Sequence, residues 1–416
     1  MEEIKPYLNV VSGDDLDDAC DFVEEFSEEL GKFKGRLTST KEETATARLI
    51  RDRLHNETEA KVRLEAYKAH PIAGRGALTL LGLWFALCLI LYFVSFVDHP
   101  VAGIVITLVA LCLALVGGIV IILIFLGHRS LQGILPTKVS YNVVSERAPS
   151  VCEANKERTV IICTNHDAVL GSAIYDLTRL RTFSMVIAPL SFVIFVVFCV
   201  LKMTIGPTTP LAISLLTIMP FLTSVAGIGV LTTHFSLSKK HARDRGGVST
   251  SVALATYAYF VENPSLLPND VRIVFASFGG ENSAHGGSRA FVKAHSEFAD
   301  AKVLCIGDIL DNNFGVTDGD HLRNIKHSKV VIDAIKTSAR LLDIPLQTNN
   351  SNTLRDKLVC LHGFTSNAFA QSNIHSATIT AKHDNAVEGV VRREDVGRLF
   401  ALSVNAVIHL LEDDIS

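Results

Sequence analysis

The sequence has 416 residues, of which 48% are hydrophobic and 20% are charged, and its formal net charge is -4. It contains no Lys/Arg-rich block and no patch of interleaved basic and aromatic residues, which argues against a nucleic-acid partner. The eight cysteines include no pair at CxxC spacing, so neither a disulfide framework nor a thiolate zinc site is expected.

Two helices and one strand are predicted before the first apolar run, and a second strand is predicted after the first pair of apolar runs. Residues 14–33 alternate acidic and apolar positions at helical spacing, which is typical of a helix with one solvated face. Thr40 and Glu43 have capping-box spacing and predict the start of a second helix. Alternating patterns over Val62–Tyr67 and Lys138–Val144 predict half-buried strands.

Four apolar runs are each long enough to cross about 30 Å of hydrocarbon. They are Gly76–Phe96, Val101–Leu126, Phe183–Leu201 and Leu211–Thr233. Only a short turn separates the members of each pair, and Lys202 falls in the second turn. The pattern predicts two transmembrane hairpins. No Asp, Glu, Lys or Arg lies deep in a run, so an ion pathway is not indicated.

The basic residues that flank these runs predict the orientation of the hairpins. Twelve Lys and Arg residues lie near the wide ends, whereas the two tight turns contain only Lys202. The twelve are Lys61, Arg63, Lys68, Arg75, Arg129, Lys138, Arg179, Arg181, Lys239, Lys240, Arg243 and Arg245. Because Lys and Arg are retained on the cytoplasmic side, we expect a multi-pass protein of the cell membrane with the soluble part and both termini in the cytoplasm.

The soluble segments alternate strands and helices. The predicted central strands are Thr159–Cys163, Val271–Phe275, Lys302–Ile306 and Ala377–Thr380, and the helical patterns lie at 249–262, 286–298, 327–342 and 394–412. This order predicts an α/β fold with a mixed, largely parallel sheet and helices on both faces. One soluble domain would be assembled from 1–75, 128–182 and 234–416, interrupted by transmembrane hairpins at 76–127 and 183–233.

Polar loops follow the predicted central strands. Residues 164–167 read TNHD, 279–282 read GGEN, 307–308 read GD and 382–384 read KHD. Because the carboxyl ends of parallel strands meet at one edge of a sheet, these side chains should lie close together. His and carboxylate residues in such a place are typical of a metal-dependent hydrolase, in which zinc activates water and an unliganded Glu accepts the proton.

Four segments resemble one known family, the co-catalytic zinc aminopeptidases and glutamate carboxypeptidases of metallopeptidase clan MH. Residues 278–291, FGGENSAHGGSRAF, are similar to the family's F-G-A-E-E-x-G-x-x-G-S-x-x-F strand-loop-helix. NVV at 142–144 with VIICTNHD at 160–167 is similar to its N-V-I strand and G-A-H-x-D-S loop, and GRLTS at 35–39 to its G-x-R-x-x-G-S segment. The resemblance covers every soluble segment in order. It implies the zinc-exopeptidase fold, a zinc cofactor and hydrolysis of N-terminal peptide or amino-acid amide bonds.

The resemblance also implies residue roles. Glu281 falls on the general base and Asp167 on the Asp that orients the first His ligand. Asp308 falls on a zinc-binding Asp, and His383 falls on the last zinc-binding His.

Three ligand positions depart from the family pattern. Asn165 stands where the first ligand His is expected, Asn282 where the ligand Glu is expected, and Gly247 where the bridging Asp is expected. An amide is a poor zinc ligand and glycine has no side chain, so at most one zinc site is expected. In that site His166 and Asp244 would join the two remaining ligands.

Two functions are therefore open. The first is a membrane-anchored metal-dependent exopeptidase acting on a peptide or an amino-acid derivative. The alternative is an inactive pseudopeptidase that binds peptides or acts as a scaffold in the lipid bilayer. A transporter or receptor with a regulatory soluble part is disfavoured by the uncharged spans. The oligomeric state is not indicated. His285, His362 and His375 are interpreted as ordinary loop histidines.

Overall fold

The computed structural model describes residues 10–73, 75–97, 99–125, 135–149, 157–170, 178–206, 208–233, 242–243, 247–281, 285–309, 312–320, 323–349, 365–381 and 391–412. The helices within these ranges are α1 (Gly13–Gly31), α2 (Lys41–Thr58), α3 (Arg75–Val94), α4 (Pro100–Phe125), α5 (Thr178–Ile205), α6 (Pro210–Thr233), α7 (Gly247–Glu262), α8 (Gly286–Ala294), α9 (Lys329–Leu341), α10 (Ser366–Ala370) and α11 (Arg393–Glu412). The strands are β1 (Val62–Ala69), β2 (Lys138–Arg147), β3 (Arg158–Asn165), β4 (Val169–Leu170), β5 (Ala242–Arg243), β6 (Val271–Phe278), β7 (Lys302–Ile309), β8 (Phe314–Thr317), β9 (Gly319–Asp320), β10 (Ile325–Lys326), β11 (Gln347–Asn349) and β12 (His375–Ala381).

The chain divides into two compact units. The first comprises Met1–Pro71, Pro136–Leu170 and Ser238–Ser416, and the second comprises Ile72–Leu135 and Gly171–Leu237. Each unit has its own apolar core.

The first unit is built on an eight-stranded sheet with the strand order β1-β2-β6-β3-β7-β12-β8-β11. Strands β6, β3, β7 and β12 run parallel to their neighbours within this group, and β8 pairs with β11 in parallel. The β1–β2, β2–β6 and β8–β12 pairs are antiparallel. The predicted mixed, largely parallel sheet is therefore confirmed.

Helices cover both faces of this sheet because its strands are apolar on both sides. In β6, Ile273 and Phe275 face one core with α1, α2, α7, α9 and α11. The alternate residues Val274, Ala276 and Phe278 face a second, smaller core with α8 and α10. Burial of one such Phe side chain stabilises the fold by roughly 1.5–3 kcal/mol.

The first two helices begin as the sequence predicts, with one difference. Ser12 caps α1 with a complete capping box, and Thr40 Oγ1 accepts a hydrogen bond from the Glu43 N–H at the start of α2. The Glu43 carboxylate, however, does not return to the Thr40 N–H. It accepts hydrogen bonds from the Ser39 N–H, the Gly280 N–H and the Ser140 hydroxyl. The predicted capping box is therefore only half formed.

The second unit is formed by α3, α4, α5 and α6. Each contains a segment long and apolar enough to cross a membrane: Gly76–Val94, Pro100–Ile124, Val186–Ile205 and Pro210–Thr232. Their packing includes a stacked pair, Phe85 and Phe192, with ring centroids 4.1 Å apart, and an edge contact between Phe85 and Phe195. Four predicted apolar runs therefore form four helices.

A polar knot, defined here as Tyr92, Ser95, Thr107 and Lys202, links the four helices at one end. The Lys202 ammonium donates to Ser95 Oγ at 2.5 Å and to the Tyr92 carbonyl at 3.2 Å, and lies 3.2 Å from the Phe96 ring centroid. Thr107 Oγ1 donates to Ser95 Oγ, and Tyr92 Oη donates to the Leu216 carbonyl of α6. Lys202 is only 8% exposed and lies within α5, so its predicted place in the turn is wrong.

Candidate functional site

The predicted site residues that the structure describes gather at one edge of the sheet. Asn165 ends β3 opposite Phe278, which ends β6, and β7 runs beside β3 with Asp308 close to its carboxyl end. Because these strands are parallel, the residues that follow them meet at the same edge. His166 and Asp167 follow β3, and Glu281 follows β6. His383, Asp244 and Asn282 lie outside the described residues, and Gly247 is the first residue of α7.

Glu281 is buried and both of its carboxylate oxygens are engaged. Oε1 accepts a 2.6 Å hydrogen bond from the Ser288 N–H, in the first turn of α8. Oε2 lies 3.0 Å from His285 Nδ1. A carboxylate at a helix N-terminus satisfies a backbone donor that has no partner within the helix. The residue predicted to be the general base therefore caps α8.

His285 is a site residue that the interpretation as an ordinary loop histidine missed. It is only 5% exposed and precedes α8 with a left-handed backbone, φ 56°. Its imidazole contacts Glu281 four residues earlier. This i, i+4 spacing of Glu and His was the available signal, but no local pattern predicts the contact between the two side chains.

Glu43 is a second residue that the sequence did not indicate. It is 1% exposed and holds the loop that carries Glu281, since its Oε1 accepts from the Gly280 N–H at 2.8 Å. Burial raises the pKa of Glu43 to about 7, and the hydrogen bonds from Ser39, Ser140 and Gly280 only partly oppose this shift.

Tyr67 holds the same loop from β1. Its hydroxyl donates to the Gly279 carbonyl at 2.8 Å, and burial raises the pKa of this phenol. Gly280 has φ 60°, and a Cβ at this position would collide with the Tyr67 hydroxyl. The turn before Glu281 thus requires glycine for its backbone conformation and for the close approach of Tyr67.

The residues after β3 form a buried polar layer. His166 Nδ1 is 2.9 Å from Ser277 Oγ, and the His166 carbonyl accepts from Arg36 Nε at 3.1 Å. Burial, followed by the nearby Arg36 charge, lowers the pKa of His166 to about 3, so this imidazole is neutral. The carbonyl of Asn165 accepts from Thr250 Oγ1. Asp167 is fully buried, and Asp308 is half-buried.

The far end of α8 is fixed by a histidine between two carboxylates. His295 Nε2 lies 3.0 Å from both oxygens of Glu65 in β1, and Nδ1 lies 2.7 Å from Glu297 Oε1. The ring packs between Phe291 and Phe298, with centroids at 4.5 and 5.4 Å. The hydrogen bond with Glu65 is the largest cause that raises the pKa of His295.

A zinc pair does not fit the donors that the described residues bring to this edge. Among those residues, no group of three or more His, Cys, Asp and Glu side chains is arranged to hold a metal ion. Glu281 is turned to α8, and Asn165 and Gly247 offer poor or no ligands to zinc. The neutral His166 contacts Ser277 through Nδ1, which leaves only its Nε2 as a possible ligand.

Comparison with known proteins gives structural neighbours only. No protein-family model and no curated protein sequence matches the chain. In fold, the chain is similar to zinc-dependent exopeptidases and glutaminyl cyclases.

Three of the similar solved structures represent these two groups. A Zn-dependent exopeptidase from Parabacteroides distasonis is 10% identical, with 94% of this chain and 97% of that chain covered and a TM-score of 0.49. The zinc aminopeptidase of Bacillus subtilis is 11% identical, with 94% of each chain covered and a TM-score of 0.44. A glutaminyl cyclase from Fimbriiglobus ruber is 8% identical, with 94% of each chain covered and a TM-score of 0.48.

Proposed function

We propose that this chain is a membrane-anchored, peptidase-like protein that binds a peptide or an amino-acid derivative at the sheet edge and does not hydrolyse it. The observation that carries this proposal is the engagement of Glu281. Its two oxygens are held by the Ser288 N–H and by His285, so the carboxylate has a structural role in the place where a peptidase of this kind needs a base facing water.

The ligand positions support the same conclusion. The residues at the first His, the second Glu and the bridging Asp of the family pattern are Asn165, Asn282 and Gly247. Loss of these ligands removes the support for two tightly bound zinc ions. The edge itself is retained, with the glycine turn, Tyr67 and Glu43 all in contact with the loop before Glu281.

Membrane anchoring is the second part of the proposal. The four long apolar helices support two hairpins, and the excess of Lys and Arg at their wide ends supports a cytoplasmic position for the soluble segments and both termini. The single lysine near the tight turns, Lys202, lies inside the polar knot, so it does not weaken the charge asymmetry of the exposed ends.

Zinc-dependent hydrolysis is the second candidate function. The buried His166 Nε2 has no hydrogen-bond partner among the described residues, and a neutral imidazole nitrogen is a common zinc ligand. In this case a single zinc would be held by Asp308 and His383 with help from His166 or Asp244, and Glu281 would be the base.

Elemental metal analysis of the detergent-purified protein separates the two functions. We expect no stoichiometric zinc in the wild type after zinc addition and dialysis, and no cleavage of a panel of aminoacyl amides and short peptides. Stoichiometric zinc that is lost in both Asp308→Ala and His383→Ala, together with cleavage of any panel member, would establish the hydrolase and end the binding proposal.

A further inference from the structure

Glu281 and His285 form a carboxylate–imidazole dyad, a pair in which the acid fixes one nitrogen of the ring. His285 Nδ1 lies 3.0 Å from Glu281 Oε2, and the two side chains are 7% and 5% exposed. The second oxygen of the acid is held by the Ser288 N–H, so the carboxylate cannot rotate without losing a hydrogen bond.

The chemistry of the pair assigns the proton on the ring. An ionised carboxylate only accepts hydrogen bonds, so the Nδ1 atom that faces it carries the hydrogen. In a neutral imidazole the other nitrogen, Nε2, then bears a lone pair. The same arrangement orients histidines that bind metal ions or accept protons in many enzymes, since the carboxylate fixes both the tautomer and the ring plane.

His285 Nε2 is buried and has no hydrogen-bond partner among the residues that the structure describes. A buried acceptor without a partner is unfavourable, because it has given up its hydrogen bonds with water. The backbone of His285 is also in the left-handed region, which is unfavourable for a residue with a Cβ. The unpartnered Nε2 therefore calls for a hydrogen-bond donor from outside the described residues.

The position of His285 is held firmly on both sides. Its N–H donates to the Glu281 carbonyl at 2.9 Å, and the next residue, Gly286, donates to the Gly280 carbonyl at 3.1 Å. The ring therefore keeps one orientation next to the glycine turn. Carboxylates supply most of the charge that the described residues bring to this edge, with Asp167, Glu281 and Asp308 against the buried Arg36.

We propose that His285 Nε2 is the hydrogen-bond acceptor for the ligand of this site, and that the ligand presents an ammonium or amide N–H to it. The inference rests on the proposed binding function, and it adds the residue and the donor group. An N–H donor matches the lone pair of Nε2, and the carboxylates at the same edge of the sheet favour a cationic or polarised donor over an anion. The buried position of Nε2 strengthens the contact because water does not compete for this atom.

The test uses full-length protein in detergent and leucinamide, glycinamide and trialanine as probes. Titration calorimetry should detect binding of at least one probe by the wild type. His285→Leu should weaken that binding about tenfold, the effect of one buried hydrogen bond. His285→Gln, which keeps an acceptor, should recover part of the affinity.

His375→Leu is the matched control. This histidine is exposed at the amino end of β12, where its Nδ1 contacts Ser328 Oγ, so its loss should leave probe binding unchanged. Equal weakening by His285→Leu and His375→Leu, or no weakening by either, would overturn the role of Nε2.

Nitrogen NMR of protein labelled with [15N]histidine tests the dyad without a ligand. His285 should show a protonated Nδ1 and a bare Nε2, and Glu281→Gln should disturb this tautomer. If the tautomer is as expected but no probe binds the wild type, the proposed function fails and the ligand assignment fails with it. If a probe binds while Nε2 carries the proton, only the present inference is overturned.

Discussion

The buried carboxyl group of Glu43 should make the stability of the first unit depend on pH in a way that Glu43→Gln abolishes. Its pKa is raised from 4.5 to about 7 in the folded protein by burial. A raised pKa means that the stabilisation is complete below the unfolded pKa and is lost as the pH rises through the folded pKa. Wild-type stability should therefore fall between pH 4.5 and about 7.

The size of this effect follows from the shift. One pKa unit corresponds to about 1.4 kcal/mol, so the ionisation of Glu43 should lower the unfolding free energy by on the order of 3 kcal/mol. Glutamine has the same shape and cannot ionise. In acid the variant should be less stable by about 1 kcal/mol, because an amide satisfies the donors from Ser39, Ser140 and Gly280 less well. The two stability curves should therefore cross as the pH rises.

The assay must report the first unit alone. Cys163 and Cys305 are fully buried in β3 and β7, so their alkylation after urea exposure at each pH, quenched at one common pH, measures the opening of this sheet. Glu28→Gln, on the exposed face of α1, is the control and should follow the wild type. Parallel curves for the wild type and Glu43→Gln across this pH range would refute the reasoning.

Three further predictions concern single contacts. His295→Gln should destabilise the first unit by about 1–2 kcal/mol below the raised His295 pKa and by less above it, because the imidazolium donates to Glu65 and Glu297. Urea unfolding series at several pH values measure this difference, and a loss of stability that does not depend on pH would contradict it. Lys202→Met should lower the melting temperature of the detergent-solubilised protein, since it removes the cation that the polar knot surrounds; an unchanged melting temperature would show that the knot adds nothing. Gly280→Ala should reduce the stability of the first unit by at least about 1 kcal/mol in the same thiol assay, because the positive φ is unfavourable for alanine and the added Cβ meets the Tyr67 hydroxyl. An unchanged stability would show that neither constraint acts at this turn.

The elements of the fold could be predicted because they depend on local periodicity. The half-buried strands have apolar residues at every second position, and the amphipathic helices have them every 3.6 residues. The central strands and the four apolar helices are continuous apolar runs. The meeting of the predicted site residues at one edge of the sheet followed from the parallel pairing of the central strands alone. The predicted start of α2 at Thr40 is confirmed, because a cap depends on residues only three apart.

The details of the site depend on distant contacts and could not be predicted. Glu43 acts through Ser140 and Gly280, which are 97 and 237 residues away, and no local pattern encodes such a pairing. Lys202 precedes a Gly and a Pro that suggest a turn, but α5 continues to Ile205 because the polar knot solvates the charge inside the helix bundle. The roles of Glu281, Asp308 and His166 in a reaction stay predictions.

The strand order dictates when the first unit can be completed during synthesis. Strand β6 lies between β2 and β3 in the sheet, yet it is made after both of them and after both apolar hairpins. Until residue 278 has left the ribosome, β2 and β3 lack their common neighbour, and the edge that carries Glu281 does not exist. With the proposed anchoring, all four apolar helices are available for membrane insertion before β6 can pair with β2 and β3. The membrane anchor is therefore synthesised before the binding edge can form.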